Sequence, residues 1–400
     1  MDLLAEAAVL SSELIDLRRR LHAVPEVGLQ LPVTQQLLLA ELDGLELEVS
    51  TGNDCTSVIA VLRGGRPGPL VLLRGDMDAL PVVEKTNETF VPAAGSPHAT
   101  AMHACGHDLH MAGLIGAARL LCAHRAELAG DVLFMFQPGE EGHNGAGVMI
   151  DEGVLTAAGR KVDAAYGLHV FSSWFPNRMF AARSGTLMAA SAGLEVRVVG
   201  AGTHGSAPHR GQDPIPVACE IVTALQTMVT RQFDIFDPVV VTVGSFHAGT
   251  KRNIIPDDAV FDATVRSFSP EAAGAMADKA VALCQGIAAA HGLTAEVNFV
   301  AEYPVTVNDD AEFRFVADTA RQMFGEERFL EMPVPLSGSE DFSRVLEEVP
   351  GAYFFLGASK SDAYDTAPSN HSPLAAFDDS VLPDAAAMLA ELAVRRLARG

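Results

Sequence analysis

The spacing of apolar and polar residues changes along the chain, and this change predicts two kinds of structure. Short continuous apolar runs at 70–73 and 131–136 predict strands that are buried on both faces. Segments 13–21 and 109–124 carry apolar residues at helical spacing and predict helices. From 194–198 onward, apolar and polar residues alternate, which predicts strands with one face toward solvent. The chain therefore combines a buried α/β sheet with a second, half-exposed sheet.

The half-exposed part predicts a compact inserted domain. After strand 194–198 the pattern predicts a helix at 213–232, strands at 238–246 and 257–267, a helix at 270–291 and a strand at 294–302. This βαββαβ order is the ferredoxin-like split motif. A helix at 310–324 and a strand at 352–356 then resume the first pattern. We predict an α/β fold in which residues 1–188 and 303–400 form a mixed central sheet with flanking helices, and residues 189–302 form an inserted ferredoxin-like domain.

Length and charge limit the classes of function. Four hundred residues with 48% hydrophobic content supply two cores. The net charge of -23 repels phosphate backbones and anionic lipid, so we expect neither a nucleic-acid nor a membrane partner. An anionic substrate would need a local arginine or a metal ion. The cysteines are scattered and odd in number, which argues against a disulfide framework. Together with the acidic start of the chain, they favour a cytoplasmic protein.

Candidate metal ligands concentrate in residues 103–110, which read His-Ala-Cys-Gly-His-Asp-Leu-His. Thiolate and imidazole ligands suit zinc and its first-row neighbours. Further polar residues follow predicted buried strands: Asp76 and Asp78, Glu140 and Glu141, and His169. Each cluster alone also fits a turn or a cap, and Cys105 alone fits a buried structural cysteine. Because strand ends meet at one edge of an α/β sheet, the clusters together favour a single metal site.

Several motifs in the same order carry a family resemblance. The stretches 73–81, 102–108, 137–141 and 339–342 resemble the co-catalytic metallopeptidase family of N-acyl-amino-acid amidohydrolases, which includes hippurate hydrolases and plant indole-acetyl-amino-acid hydrolases. The resemblance implies two divalent metal ions, with zinc or manganese expected first and cobalt or nickel as alternatives. Their implied ligands are Cys105 as a bridging thiolate, His107, Glu141, His169 and His371.

The resemblance also implies catalytic roles. Glu140 would be the general base on a metal-bound water, and Asp78 would orient the metal site. Asp76 stands where the peptidase branch has a histidine, and the Cys105-x-His107 pair is expected to replace that ligand. His103 and His110 are expected in supporting roles, with Asp108 as a candidate partner of a ligating imidazole.

The inserted domain resembles the lid and dimerisation domain of this family. Within loop 202–209, His204 would polarise the scissile carbonyl, in many relatives within the site of the partner subunit. Asn253 and Arg266 match positions that bind the free carboxylate of the substrate. An arginine there would supply the local positive charge that an acidic protein needs.

We therefore expect a metal-dependent amidohydrolase that cleaves the amide bond of N-acyl amino acids and forms a homodimer through the inserted domain, or a higher oligomer. A dinuclear metallo-dipeptidase or aminopeptidase is the main alternative. Two further alternatives are a cysteine-nucleophile amidase built on Cys105 and a non-catalytic metal-binding module. Chelation and metal add-back distinguish the metal-dependent functions from the nucleophile.

Overall fold

The structure is a computed structural model that describes residues 1–399. Its helices are α1 (Leu3–Val9), α2 (Ser11–His22), α3 (Pro32–Leu42), α4 (His107–Ala123), α5 (Gly145–Asp151), α6 (Pro214–Gln232), α7 (Pro270–Ala290), α8 (Asp310–Phe324), α9 (Ser343–Glu348) and α10 (Leu382–Leu397). No helix in this described part of the chain is both long enough and apolar enough to cross a bilayer.

The strands extend most of the apolar runs seen in the sequence by a few residues. They are β1 (Glu48–Thr51), β2 (Val58–Leu62), β3 (Arg66–Asp76), β4 (Ala129–Gln137), β5 (Ala164–Phe171), β6 (Phe180–Ala182), β7 (Gly185–Met188), β8 (Ala190–Val199), β9 (Thr203–His204), β10 (Val239–Ala248), β11 (Ile254–Ile255), β12 (Asp258–Ser267), β13 (Thr294–Tyr303), β14 (Thr306–Asn308), β15 (Phe329–Glu331) and β16 (Gly351–Gly357).

The chain divides into two compact units. The first contains Met1–Leu187, Val307–Val334 and the chain from Asp341 onward, and the second contains Met188–Thr306 and Pro335–Glu340. The segment Pro335–Glu340, which the sequence placed in the first domain, lies with the second unit. There the Ala189 amide donates hydrogen bonds to the carbonyls of Leu336 and Gly338 at 3.1 and 3.0 Å.

The first unit is built on a mixed eight-stranded sheet with the order β1-β2-β4-β3-β5-β16-β6-β15. Strands β4, β3, β5 and β16 run parallel, whereas β2 pairs antiparallel with β4. Every residue of β5 and β16 is buried, as expected for central strands of such a sheet. Helices α2, α4 and α10 supply much of the apolar core. The predicted α/β architecture with flanking helices is confirmed.

The second unit has the predicted ferredoxin-like topology. Its four-stranded sheet has the order β10-β12-β8-β13, and each neighbouring pair is antiparallel. Alternate residues of β8 point into a core that α6 and α7 complete. The remaining strand positions face away from that core, which explains the alternating sequence pattern.

Candidate metal centre and active site

The site of the first unit forms where three parallel strands end. Asp76 ends β3 and is in register with Gln137, which ends β4. Asp78 follows β3, and Glu140 and Glu141 follow β4. His169 differs from the sequence expectation because it lies inside β5, two residues before its end, instead of after it. These strand ends bring the acidic residues and the histidine to one edge of the sheet.

Gly106 shapes the loop that carries Cys105 and His107. It has a φ of 83°, and α4 begins at the next residue. A Cβ at this position would lie 2.4 Å from Cγ2 of Val170 and 3.0 Å from Cε1 of Phe377. Only glycine can adopt the left-handed backbone conformation and also fit where there is no room for a Cβ atom. The loop geometry therefore requires a glycine between the two candidate ligands Cys105 and His107.

The candidate ligands form overlapping groups around Cys105. One group contains Cys105, His107 and His169, and a second contains Cys105, Glu141 and His371, with the ligand atoms of each group within 4.8 Å of one another. The Cys105 sulfur lies 3.4 Å from Nε2 of His169 and 3.2 Å from Nε2 of His371. Glu141 Oε1 lies 3.1 Å from the same His371 nitrogen. Two three-ligand groups that share one sulfur have the arrangement of a dinuclear site.

His107 has the properties expected of a metal ligand. Its ring is buried, and neither ring nitrogen makes a hydrogen bond within the described residues. Carboxylate oxygens of Asp76 and Asp78 lie 3.6 Å from its two nitrogens. A buried polar group without a hydrogen bond is costly, and a bound cation would satisfy one of these nitrogens. His107 therefore fits a divalent cation better than it fits a purely structural role.

The loop that carries His371 is held tightly against the Cys105 loop. His371 adopts a φ of 70° and donates its backbone N–H to the Ala104 carbonyl at 2.9 Å. The neighbouring Asn370 donates from Nδ2 to the carbonyls of Cys105 and Val170 at 3.2 and 3.0 Å. The Cys105 sulfur and the Glu141 carboxylate raise the pKa of His371 to about 10. A cation must therefore displace a proton to bind this imidazole.

Asp78 holds the turn that carries the paired glutamates. Its two carboxylate oxygens accept hydrogen bonds from the backbone amides of Glu140 and Glu141, each at 3.0 Å. Adjacent residues point in different directions, so this anchored turn can direct Glu141 toward the ligands while Glu140 serves another purpose. Glu140 is itself buried.

Asp76 faces the candidate ligand His107 and contacts the neighbouring His110. The Val170 amide donates to Nε2 of His110 at 2.8 Å, so Nδ1 of His110 carries the proton and faces Asp76 at 2.5 Å. Both nitrogens of His110 are thereby used, and its supporting role remains a prediction. Burial opposes ionisation of Asp76, but Arg74 together with the nearby histidines holds its pKa well below the usual range.

A buried polar network behind Asp76 was not predicted from the sequence. Arg74 is fully buried and contacts Asp76 at 2.6 Å, Gln137 at 2.9 Å and Asp341 at 3.1 Å. Asp341 also accepts a hydrogen bond from the Ala146 amide at 2.9 Å. Gln137 and Asp341 belong to two of the motifs that carried the family resemblance. Their presence in those motifs was the available signal, but their shared contact with Arg74 required the fold.

The role expected for Asp108 was wrong. It does not contact a candidate ligand but faces α2, where it accepts from His22 Nδ1 at 2.7 Å and pairs with Arg18 at 2.7 Å. His103 is buried near this group, and its ring nitrogens make no hydrogen bond within residues 1–399. Burial lowers the pKa of His103 to about 4, so its ring is neutral. The carboxylates that face the ring nitrogens of His107, at 3.6 Å, are those of Asp76 and Asp78 instead.

The inserted unit brings two of its three predicted residues together. His204 in β9 pairs with Ile254 in β11, and the Gly205 amide donates to the Asn253 carbonyl at 2.8 Å. The Ser206 amide donates to Nδ1 of His204 at 3.1 Å, so a neutral His204 carries its proton on Nε2. This nitrogen can donate to an oxygen.

Arg266, the third predicted residue of the inserted unit, lies on a different strand, β12. Its Nη1 atom donates to the hydroxyls of Ser191 and Thr264 at 2.7 and 2.9 Å. These two contacts fix the orientation of the guanidinium group.

Comparison with known proteins agrees with this architecture. Residues 72–395 match the family described as Peptidase family M20/M25/M40. The chain is 38% identical to thermostable carboxypeptidase 1 of Saccharolobus solfataricus, covering 96% of this chain and 95% of that protein. It is 35% identical to hippurate hydrolase of Campylobacter jejuni, covering 99% of this chain and the full length of the relative.

A solved structure also resembles the whole chain. It is a Bacillus subtilis protein described as a dinuclear metal binding peptidase from the M20 family, with a TM-score of 0.82, 32% identity and coverage of 98% of this chain and 99% of that one. These matches confirm the resemblance inferred from the motifs. The chain belongs to the peptidase family M20/M25/M40 and is a hydrolase of that family.

Proposed function

We propose that this protein hydrolyses the amide bond of N-acyl amino acids and releases a carboxylate and a free amino acid. The observation that carries the proposal is the pair of three-ligand groups that share Cys105. The names of similar full-length relatives, such as hippurate hydrolase, support the substrate class.

The proposed ligands are Cys105, His107, Glu141, His169 and His371. Burial and the neighbouring His110 lower the pKa of His169, which keeps its imidazole neutral and able to bind a cation. A pair of divalent cations held by this set would polarise the scissile carbonyl and acidify a water molecule. A mixture of sulfur, nitrogen and oxygen ligands suits zinc or manganese, with cobalt and nickel as alternatives.

Glu140 is the proposed general base. Its backbone is fixed by Asp78, and its carboxylate belongs to a group with His107 and Glu141. From this position it takes a proton from the attacking water and returns it to the leaving amine. Asp78 acts as a positioning residue, because it holds both the Glu140 turn and one side of His107.

The inserted unit supplies the proposed contacts to the rest of the substrate. Nε2–H of His204 would donate to the carbonyl oxygen as negative charge develops on it. Asn253 and Arg266 would bind the free carboxylate, because an amide and a guanidinium group both donate hydrogen bonds. Blocking that carboxylate as an amide should therefore raise KM.

The first experiment measures release of free amino acid from N-benzoyl and N-acetyl amino acids. Chelation should abolish this release, and zinc or manganese should restore it. Glu140→Gln should retain the cations, counted by elemental analysis, but lose turnover by roughly 100-fold or more. Glu347→Gln, an exposed glutamate in α9, is the matched control and should keep full activity.

Different results would favour the alternatives. Activity that survives complete chelation but disappears when Cys105 is alkylated would contradict the metal mechanism and favour a cysteine nucleophile. A protein that binds cations but cleaves neither class of substrate would favour a non-catalytic metal-binding module. Preference for a free α-amino group would favour a dipeptidase or aminopeptidase.

Cleavage of the last residue from a peptide is a second candidate, since a relative with 38% identity is named a carboxypeptidase. Both reactions require a substrate with a free α-carboxylate and an acylated nitrogen, so one site could serve either. Comparison of kcat/KM for benzoyl-glycine and for a benzoylated dipeptide distinguishes them. A dipeptide preference of tenfold or more would favour the peptidase.

We also propose a cytoplasmic homodimer formed through the inserted unit, with a higher oligomer as the alternative. Ile235 and Phe236 are 77% and 90% exposed in the loop between α6 and β10, and β10 is an edge strand of its sheet. Exposed apolar side chains beside an open edge favour docking of another copy. The free cysteines fit a reducing compartment. Light scattering should give twice the chain mass, and Phe236→Asp should shift it toward the monomer.

A further inference from the structure

Two arginines on the face of the inserted sheet that points away from α6 and α7 have different surroundings. Arg197 in β8 pairs directly with Asp258 at 2.8 Å and with Glu296 at 3.1 Å. The half-buried Arg266 in β12 has no carboxylate within ion-pair distance among residues 1–399, although the chain contains 51 acidic residues. The charge of Arg266 is therefore not neutralised by a neighbouring carboxylate.

The contacts of Arg266 occupy one of its three nitrogens. Nη1 donates to the Ser191 hydroxyl at 2.7 Å, the Thr264 hydroxyl at 2.9 Å and the Val265 carbonyl at 3.0 Å. Because Nη1 carries two hydrogens, these three acceptors use both. Nε and Nη2 make no hydrogen bond to any residue in the described part of the chain. Their N–H groups lie side by side on one edge of the guanidinium plane, which matches the two oxygens of a carboxylate.

A carboxylate contacts Arg266 indirectly, through a hydroxyl. The Ser191 side chain is buried, and its Oγ accepts from Arg266 and donates to a carboxylate oxygen of Glu302. Because a serine hydroxyl has a single hydrogen, the bond to Glu302 fixes where that hydrogen points and leaves the Oγ lone pairs for Nη1. Glu302 therefore orients Ser191 without itself occupying the guanidinium group.

A bulge in β13 coincides with this contact. Ala301 lies opposite Ala192 of β8, but the next paired residue, Tyr303, lies opposite Ser191, so that Glu302 is an extra residue in β13. Bulges bend a strand and redirect a side chain, and they are enriched next to active sites. The regular pairing of the sheet is thus interrupted at the residue whose carboxylate holds Ser191.

We propose that Ser191 and Glu302 are positioning residues that hold Arg266 so that its Nε–Nη2 edge takes both oxygens of the substrate's free carboxylate. The inference rests on the proposed function, in which Arg266 binds that carboxylate. A direct ion pair between Arg266 and Glu302 would have to break before a substrate could bind. A hydroxyl between the two groups keeps the guanidinium group oriented and leaves its outer edge open to an anion.

Kinetics with benzoyl-glycine test the positioning role. Ser191→Ala should raise KM roughly 3- to 10-fold and leave kcat within about twofold, because a guanidinium group that is no longer held loses part of its hydrogen bonding to the carboxylate. Glu302→Ala should raise KM in the same way. Glu302→Gln keeps an oxygen that accepts from Ser191 and should recover most of the affinity.

Two controls accompany these variants. Benzoyl-glycinamide lacks the carboxylate, so its kcat/KM should not change in Ser191→Ala. Ser267→Ala removes a buried hydroxyl next to Arg266 that makes no hydrogen bond with it, and the KM for benzoyl-glycine should match that of the wild type. An unchanged KM in Ser191→Ala overturns the proposal, as does an equal loss with benzoyl-glycinamide. If Ser191→Ala does not fold, the variants of the exposed Glu302 give the same test.

A double-mutant cycle separates positioning from a general effect on the sheet. In the Arg266→Gln protein, whose KM should already be raised, adding Ser191→Ala should change KM by less than about twofold, because the serine acts through the arginine. The same fold increase in both backgrounds would show that Ser191 acts independently of Arg266 and would overturn the proposal.

Failure of the proposed function gives a different result. Calorimetry with the zinc-loaded protein measures binding of benzoyl-glycine apart from its cleavage. If the wild type cleaves no N-acyl amino acid but binds benzoyl-glycine, and Ser191→Ala weakens that binding, the amidohydrolase proposal fails and the positioning role stands. If turnover is normal and KM is insensitive to Ser191→Ala, the proposed function stands and the positioning role fails. A wild type that neither binds nor cleaves benzoyl-glycine contradicts both.

Discussion

At the candidate metal site, Asp76 occupies the position where the resemblance implies a histidine in the peptidase branch. A histidine in its place could bind a cation, but the carboxylate instead contacts Arg74 and His110 at 2.6 and 2.5 Å. Oδ2 of Asp76, the oxygen that contacts Arg74, also lies 3.6 Å from Nε2 of His107. A carboxylate behind a ligating imidazole fixes its orientation and increases its basicity. Under the proposed assignment, Cys105 would supply a ligand, and Asp76 would orient the His107 imidazole from its other side.

Asp76→Asn should weaken cation binding, because the amide keeps the size of the side chain but removes the charge that supports His107. Loss of such a supporting carboxylate typically lowers metal affinity about 10- to 100-fold. Competition with a fluorescent chelator measures this change. Asp131→Asn, in the first half of β4 and paired with Arg63 at 3.0 Å, is the matched control. Equal affinities of the two variants would contradict the supporting role of Asp76.

At the level of elements, α4 is positioned by close packing against α10. Gly113 and Gly116 of α4 lie against Ala385 and Ala386 of α10. A Cβ at Gly116 would lie only 2.6 Å from the Cβ of Ala386 and 3.0 Å from a methyl of Leu14. Because α4 begins at His107, this packing determines how far the candidate ligand reaches into the site.

The same substitution should have opposite effects in two helices. Gly116→Ala should destabilise the protein by about 1–3 kcal/mol, since Ala386 is attached to backbone and cannot move aside easily. Gly286→Ala in α7, where the added methyl meets nothing within 4 Å, should stabilise it by roughly 0.5–1 kcal/mol through helix propensity. Urea unfolding of the full chain measures both. Stabilisation by Gly116→Ala would show that the helices separate readily.

A second link joins α2 to the start of α4. Arg18 and His22 on α2 both contact the buried carboxylate of Asp108, and Nε2 of His22 lies 3.1 Å from Glu84. Burial alone would lower the pKa of His22, but the two carboxylates outweigh it and raise the pKa above 6.5. The protonated imidazole therefore holds together the two helices and the segment that carries Glu84.

This link should weaken as the pH rises. A histidine with a raised folded-state pKa contributes stability that is complete below its unfolded pKa of about 6.5 and is lost as the pH rises through the folded value. The difference in unfolding free energy between wild type and His22→Gln should thus be about 1–3 kcal/mol at pH 6 and should decrease at higher pH. His291→Gln, which breaks an exposed pair with Glu220, should cost less than about 1 kcal/mol. A difference that grows with pH would contradict the assignment.

Across the whole molecule, the sequence pattern located elements better than it located contacts. Helix 310–324 was predicted with the bounds it has, because its apolar periodicity is a local signal. The Asp108 partners and the Arg74 network were not predicted. Arg74 and Asp341 are 267 residues apart in the chain, and no local pattern encodes such a contact. The motif residues Gln137 and Asp341 could be recognised, but their function depends on strands meeting at one edge.

The acidic charge of the whole chain should influence substrate binding. A net charge of -23 repels an anionic N-acyl amino acid at long range, while Arg266 would attract its carboxylate only at contact. Raising ionic strength from about 0.01 to 0.1 M shortens the screening length from about 30 to about 10 Å. This change weakens the long-range repulsion more than it weakens the short-range attraction between Arg266 and the substrate carboxylate. Benzoyl-glycine should therefore bind to the cation-loaded Glu140→Gln protein about two- to fivefold more tightly at the higher salt. Calorimetry with neutral benzoyl-glycinamide is the control, and its affinity should not change. Weaker binding of benzoyl-glycine at high salt would show that local positive charge governs the approach of the substrate.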